Sequence, residues 1–351
     1  MNDIKPLSLS KKRFTDAATA LEKGAWVKLI CGASNQDLPA IKDICAIFAA
    51  AGVHCVDIAA DIAVANAALE GLCWAQSNYG ANPWLMVSVS DGKDVRFRKA
   101  NFNKDLCPKN CHRPCEKICP AAAISSEGIN NQKCYGCGRC LPICPLGIIN
   151  EEDHHLPLQN IGSLIEEINP DAIEIHTAPG RIKDFEKVIA NIFKTNVKLK
   201  RIAVSIGIEG HALTAEALAK ELWERHACLR DYGQKPLWQL DGRPMSGDIG
   251  ISSAKSAVEL WEKIRPIAPP GPLQLAGGTN AKTINYLSNG NGPEGVAFGG
   301  IARKLIQPLL IEAQENQLSI TEWSEGWNRS IQLAEQLIQP WLIRQNSSKT
   351  C

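Results

Sequence analysis

Eight cysteines stand within thirty-eight residues, Cys107 to Cys144, of a chain that holds fourteen in all. The second half of this block, Cys134 to Pro145, reads CYGCGRCLPICP, a C-x2-C-x2-C-x3-C-P run. Three thiolates two residues apart can sit on one turn and hold three irons of a cubane cluster. The fourth lies one helical turn further on and points elsewhere, and Pro145 stops a helical continuation. Gly136 and Gly138 remove side chains where backbone amides must approach cluster sulfides. Zinc would not require this three-plus-one geometry.

The first half, Cys107 to Pro120, reads CPKNCHRPCEKICP, a looser C-x3-C-x3-C-x3-C-P run. One helix through it would line all the sulfurs along a stripe, which cannot surround a compact cluster, and Pro108 and Pro114 forbid that helix. Between the halves, Ala121 to Lys133 contains Glu127-Gly128 and predicts a strand-turn-strand. The competing reading of the block is a structural zinc knuckle. Lys109, Lys117, Lys133 and Arg139 beside the cysteines are either a collar for an acidic partner or ordinary solvated charge.

The elements that position the block read as α/β. Near-continuous apolar strands are expected at Trp26 to Gly32, His54 to Ala60, Trp84 to Ser88, Asp171 to Thr177, Arg201 to Gly207, Pro236 to Gly242, Pro272 to Gly278 and Glu294 to Gly300. Amphipathic helices are expected between them, at Leu38 to Gly52, Ile62 to Trp74, Thr214 to Cys228, Ser253 to Ile264 and Ile301 to Ile311, with a last one at Ser330 to Arg344. Eight strand-helix units match a (β/α)8 barrel with the cysteine block inserted after the third strand; an open doubly wound sheet is the alternative. The implied division is 1–98 for the first three units, 99–150 for the inserted module and 151–351 for the rest.

Loops after strands seven and eight form the anion site of phosphate-binding barrels, and here they carry Gly277, Gly278, Thr279, Gly299 and Gly300. These could hold a phosphate or flavin, or the glycines only permit tight turns. Other residues expected at the carboxyl face are Cys31, Ser34, Asp57, Asp61, Ser90, His176, Thr177, Glu209, Asp241 and Asn280. Asp57 and Asp61 could equally cap the following helix, and Cys31 could be core.

The chain has 38 basic and 37 acidic side chains, net +1, which argues against nucleic acid. The apolar run around Ile44 to Val53 is far short of the roughly 20 residues of a membrane span, and MNDIKPLSLSKKRF has no export signal, so a cytoplasmic, reducing setting is expected. There, clustered cysteines bind metal rather than each other. Cys45, Cys55 and Cys73 read as core residues; Cys228 and Cys351 have no ligand-spaced neighbour.

The cysteine block resembles a two-cluster bacterial ferredoxin over about forty-five residues. In that family the fourth cysteine of each motif ligates the other cluster. The resemblance implies that Cys134, Cys137, Cys140 and Cys119 hold one cluster, and Cys107, Cys111, Cys115 and Cys144 the other. The wide spacing of the first motif would let its cluster become a three-iron form.

In its context, CPKNCHRPCEKICPAAAI with CYGCGRCLPICPLGII, preceded by VKLICGASNQDLPAI, is similar to the cyanobacterial light-dependent-period family, LdpA. That resemblance implies an iron–sulfur protein that passes cellular redox state, through the quinone or ferredoxin pool, to circadian clock input: a histidine-kinase input component and the clock proteins. Without a complete catalytic set, a sensor or adaptor ranks ahead of the rival, a ferredoxin-fed barrel oxidoreductase binding a flavin or phosphorylated ligand.

Overall fold

The computed structural model describes residues 14–207, 213–243, 252–288 and 292–344. Glu209 and Cys351 therefore lie outside the described residues. Eight parallel strands close into a barrel: β1 (Trp26–Gly32), β2 (Cys55–Ala59), β3 (Trp84–Ser90), β4 (Ala172–His176), β5 (Arg201–Ile206), β6 (Pro236–Asp241), β7 (Leu273–Ala276) and β8 (Gly295–Phe298). Closure is made by β1 against β8, with Trp26 opposite Gly295 and Leu29 opposite Phe298. A Cβ at Gly295 would meet the Trp26 ring at 2.3 Å, so this seam needs a glycine. The barrel expectation holds, and the open sheet falls.

Each strand alternates its side chains between two cores. Val27, Leu29, Val56, Ile58, Val87, Ile173, Val204, Leu240 and Val296 face outward and pack under the helices as one apolar layer. The helix Leu38–Ala51 starts on an Asp37 cap and stops at Gly52, whose φ of +114° is open to glycine. The helix Ile62–Tyr79 is capped by Asp61, which accepts from Val64 N at 3.1 Å. At the amino-terminal end of the barrel, the short helix Ala17–Glu22 plugs the interior, with Ala17 and Leu21 packed on Trp26, Cys55, Trp84, Met86 and Leu237.

Two sequence expectations shift. The seventh unit carries only a 3-10 turn, Thr283–Tyr286, among the described residues. The last helix runs Ser324–Leu342, starting a turn and a half earlier than expected, because Trp327 belongs to its buried face. It packs on Leu38–Ala51, and Trp327 Nε1 donates to Tyr79 Oη at 2.7 Å.

The cysteine block leaves the barrel after β3 and returns before β4. Its stem is an antiparallel pair, 98–101 against 150–153. The expected hairpin is present, Ile124 opposite Ile129 and Ser125 opposite Gly128.

Candidate functional site

Two sites emerge, one in the inserted module and one at the carboxyl end of the barrel. In the module, Cys119, Cys134, Cys137 and Cys140 line one cavity whose other walls are mostly small or apolar: Ala100, Pro120, Ala121, Ala123, Ile124 and Tyr135. Backbone amides already address two of these sulfurs, Ala100 N at 3.4 Å from Cys134 Sγ and Ala123 N at 3.3 Å from Cys119 Sγ. Burial, and then the neighbouring thiols at Cys137, Cys134 and Cys119, push Cys140 up to about 12. Burial likewise raises Cys137. Four thiols crowded in this way resist ionising together unless positive charge lies between them, and a metal cluster supplies that charge.

The remaining four cysteines gather at the other end of the module. Cys107 shares a hydrogen bond with Cys111, and Cys144 raises both Cys107 and Cys115 through its charge, although burial is the larger cause for each. Cys144 itself is lowered: burial opposes ionisation, but backbone amides around Ile148, Leu146, Gly147 and Ile149 favour the thiolate. The extra residues in the first motif are taken up locally. Cys111 N bonds Pro108 O at 3.0 Å, Arg113 adopts φ +44°, and Pro114 starts the helix Pro114–Ile118. These bends keep Cys107, Cys111 and Cys115 together despite the wider spacing.

Gly136 and Gly138 have a further role besides the expected one. Both have positive φ, +70° and +72°, and Cβ atoms there would lie 2.0 Å from Arg98 O and Arg98 Nη2. They admit the stem strand, and Arg98 Nε in turn donates to Gly136 O at 3.0 Å. Among the described residues no three His, Cys, Asp or Glu side chains converge tightly enough to hold a single metal ion.

The barrel interior was the less legible site. Its middle and upper layers are polar rather than filled by branched apolar residues. Lys28, fully buried, lies 3.3 Å from Asp57 Oδ2 and in direct contact with Glu174. Burial pushes Asp57 up; burial is the largest influence on Glu174 too, but Lys28 and His176 together outweigh it and hold Glu174 down. Ser88 Oγ donates to Asp57 at 2.7 Å, and Gln239 Nε2 donates to Glu174 at 2.8 Å. Above them His176 Nε2 lies 3.1 Å from Glu174 Oε1. Arg96, from the chain leading to the stem, reaches Asp241 at 2.9 Å.

Beside this network lies a cavity of about 80 Å³ at the barrel mouth, lined by Ser88, Arg96, His176, Gln239, Asp241, Arg243, Thr279 and Arg303, by Gly277, Gly278, Gly299 and Gly300, and by the apolar Ile30, Ala33 and Ala297; Lys28, Asp57 and Glu174 do not line it. Of the expected mouth residues, His176, Asp241, Thr279 and the four loop glycines are brought together. Asp57 lies one layer below, in the interior rather than at a helix start. Asp61 is a cap, Ser34 donates to Arg98 O at 3.3 Å, and Ser90 donates to Gly92 O at 2.6 Å. Thr177 is tied to Asp91 and Arg225, and Asn280 N bonds Thr283 Oγ1 at 2.8 Å. Cys31 turns outward, its Sγ 3.8 Å from Cys45 Sγ. Cys45 and Cys55 are buried as expected, but Cys73 is exposed. Gly277 and Gly278 have φ of +64° and +88° and press against Arg243 and Ser253 backbone, which suffices to require glycine there.

Lys28, Glu174, Gln239, Gln274, Arg96 and Arg303 were missed by sequence reasoning. The signal was present for four of them: single polar residues at alternate positions of WVKLICG, DAIEIHT, PLWQLDG and PLQLAGG, otherwise apolar strands.

The fold and the module define a class: a (β/α)8 barrel that carries an inserted, ferredoxin-like iron–sulfur-binding module. Comparison with known proteins narrows it. Residues 164–340 match the Light dependent period A C-terminal domain, and 107–155 the LdpA Fe-S cluster-binding domain. Light dependent period A of Synechococcus elongatus is 40% identical over 330 residues, 92% of each chain. The chain belongs to the Light dependent period A family. Shorter matches are an uncharacterized ferredoxin of Methanocaldococcus jannaschii, 36% identical over 73 residues (20% of this chain, 39% of that one), and the arsenate respiratory reductase iron-sulfur subunit of a Shewanella species, 31% over 71 residues (18% and 29%). A tryptophan synthase structure from Mycobacterium tuberculosis overlaps 95% of this chain and 100% of that one at 10% identity, TM-score 0.44. No helix among the described residues is long and apolar enough to cross a membrane.

Proposed function

We propose that this chain holds two iron–sulfur clusters and reports their redox state to the machinery that sets circadian period. Cys119, Cys134, Cys137 and Cys140 would ligate one cluster, and Cys107, Cys111, Cys115 and Cys144 the other. The observation that carries the reading is the single cavity in which Cys119, from the first motif, joins three cysteines of the second. That is the crossed pattern of two-cluster ferredoxins. The clusters supply one-electron oxidation and reduction; the chain orients the thiolates, donates backbone N–H groups to them and excludes water with its apolar walls.

The cluster beside Cys107 and Cys111 is the one open to redox chemistry from outside. Cys107, Cys111 and Cys144 are part exposed and only Cys115 of that set is buried, whereas two of the other set, Cys134 and Cys140, are buried and Cys119 and Cys137 are part exposed. Loss of one iron there would give the three-iron form. Exchange of electrons with the quinone or ferredoxin pool would occur at this end. Similarity to a protein named for light-dependent period supports the clock reading, with a histidine-kinase input component and the clock proteins as partners in the cytoplasm. A sensor must bind its partner differently in its two states. The test is anaerobic holoprotein, oxidised and reduced, compared by limited proteolysis and by binding to the clock input proteins. A redox-dependent difference is expected; identical patterns and affinities in both states would remove the sensor reading.

A further inference from the structure

Two buried polar atoms at the barrel mouth have no partner among the described residues. His176 is 4% exposed and its Nδ1 makes no hydrogen bond; Arg303 is 7% exposed and its Nε makes none. Both residues line the same cavity, from opposite sides of the barrel: His176 ends β4, and Arg303 lies in the first turn of the helix Gly300–Glu315 that follows β8. Such atoms destabilise a fold when left unsatisfied. That helix also begins on Gly299 with no side-chain cap, so its first amides and its dipole face the cavity.

Arg303 reaches beyond the barrel. Its guanidinium donates to Cys31 O and lies 3.7 Å over the ring of Tyr135. Tyr135 is 4% exposed and also walls the cavity of Cys119, Cys134, Cys137 and Cys140. Gly32 makes the passage: with φ +107°, a Cβ there would stand 2.7 Å from Arg303 Nη1. One side chain thus borders the mouth and touches the wall of the cysteine pocket.

We propose that the barrel mouth binds a small phosphorylated alcohol, its phosphate against Arg303 and the uncapped helix start, its hydroxyl against His176, and that Tyr135 transmits occupancy to the cysteine pocket. An anion satisfies the arginine and the amides together. A hydroxyl can donate or accept, so it suits the imidazole nitrogen in either proton state. A cavity of about 80 Å³ is small beside drug-sized pockets and suits such a ligand better than a flavin. The transmission clause rests on the cluster reading above; the binding clause does not.

Calorimetric titration of the full chain as isolated, with glycerol 1-phosphate, inorganic phosphate and glycerol as probes, tests it. Glycerol 1-phosphate should bind once per chain and more tightly than phosphate, and glycerol should not bind. Arg303→Gln should weaken both phosphate probes by about ten- to hundred-fold. Should that variant not fold, Gly300→Asp, which sets a negative charge at the helix start, should do the same. His176→Phe should bring glycerol 1-phosphate down to the level of phosphate. No saturable binding at millimolar probe, or binding unchanged in the variants, overturns the site. In the coloured holoprotein, saturation should alter the visible circular dichroism in wild type but not in Tyr135→Leu. An unchanged wild-type spectrum overturns transmission alone. Protein free of iron overturns transmission together with the cluster reading, and leaves the calorimetric result standing.

Discussion

Replacing Lys28 by methionine isolates the charge at the centre of the barrel. Lys28 is fully buried between Asp57 at 3.3 Å and Glu174 in direct contact, and both carboxylates are shielded from water. Methionine has similar volume, so the variant removes charge with little loss of packing. Breaking one partner from a buried ion pair costs about 3–5 kcal/mol, because the carboxylates stay behind. Unfolding entropy near 2.1 cal/mol/K per residue gives about 0.7 kcal/mol/K for 351 residues, so Tm at pH 7 should fall by about 4–7 °C. The loss should depend on pH with a fixed sign. Without Lys28, burial, the largest influence on both Asp57 and Glu174, is opposed only by the weaker contacts from Ser88 and His176, so both carboxyls are expected to move up, above their unfolded values. The folded variant then holds protons that the unfolded chain releases, so it regains stability as pH falls from 7 toward 5. Wild type behaves oppositely at Glu174, whose depressed pKa contributes stability that acid removes. The gap between the two proteins should therefore narrow on acidification. Calorimetric melts of both at pH 7 and pH 5 give the answer, and Lys28→Met combined with Glu174→Gln should recover much of the loss. A variant less than about 1 °C below wild type at pH 7, or a gap that widens in acid, would refute the reasoning.

Other outcomes follow from single contacts. Cys134→Ser should cost the chain one of the two proposed clusters, halving iron and sulfide while the second cluster's resonance persists; loss of both signals, or of neither, would contradict the crossed partition. Gly136→Ala forces a side chain into φ +70° and to within 2.0 Å of Arg98 O, so iron content should drop sharply while the barrel melts near the wild-type temperature. His54, held down to about 4 by burial, accepts from Val27 N at 3.0 Å. The unfolded chain therefore binds the extra proton first, and stability of about 3 kcal/mol should vanish as pH falls from 6.5 to 4; His54→Asn should flatten that slope, which urea midpoints across the range will show.

The outer layer of the barrel was legible because it obeys a simple rule. Strands such as Trp26–Gly32 and Ala172–His176 are buried on both faces and read as nearly continuous apolar runs. Closure into a barrel was readable only through the count of eight, since the pairing of β1 with β8 joins residues about 270 positions apart. The inner layer was harder. Lys28 and Glu174 are isolated polar letters in apolar words, and only the register that sets them on the same inward face reveals a buried pair. Arg303 and Tyr135 were invisible for a further reason: each lies in a segment with its own local explanation, a helix start and a cysteine-rich loop. The cysteines were the opposite case, because their spacing is itself the geometry of the site. The stretched first motif shows the limit of that, since its fit depends on Arg113 adopting a left-handed backbone that no spacing rule announces.

The central claim is that eight cysteines hold two clusters whose ligands cross between motifs. Electron paramagnetic resonance of anaerobically prepared protein, before and after dithionite and alongside iron and sulfide counts, tests it most directly. The account predicts about eight irons and eight sulfides per chain when both clusters are four-iron, and a reduced spectrum broadened by coupling of two neighbouring paramagnetic clusters. Iron and sulfide near zero, or a single uncoupled cluster with four free thiols, would contradict it.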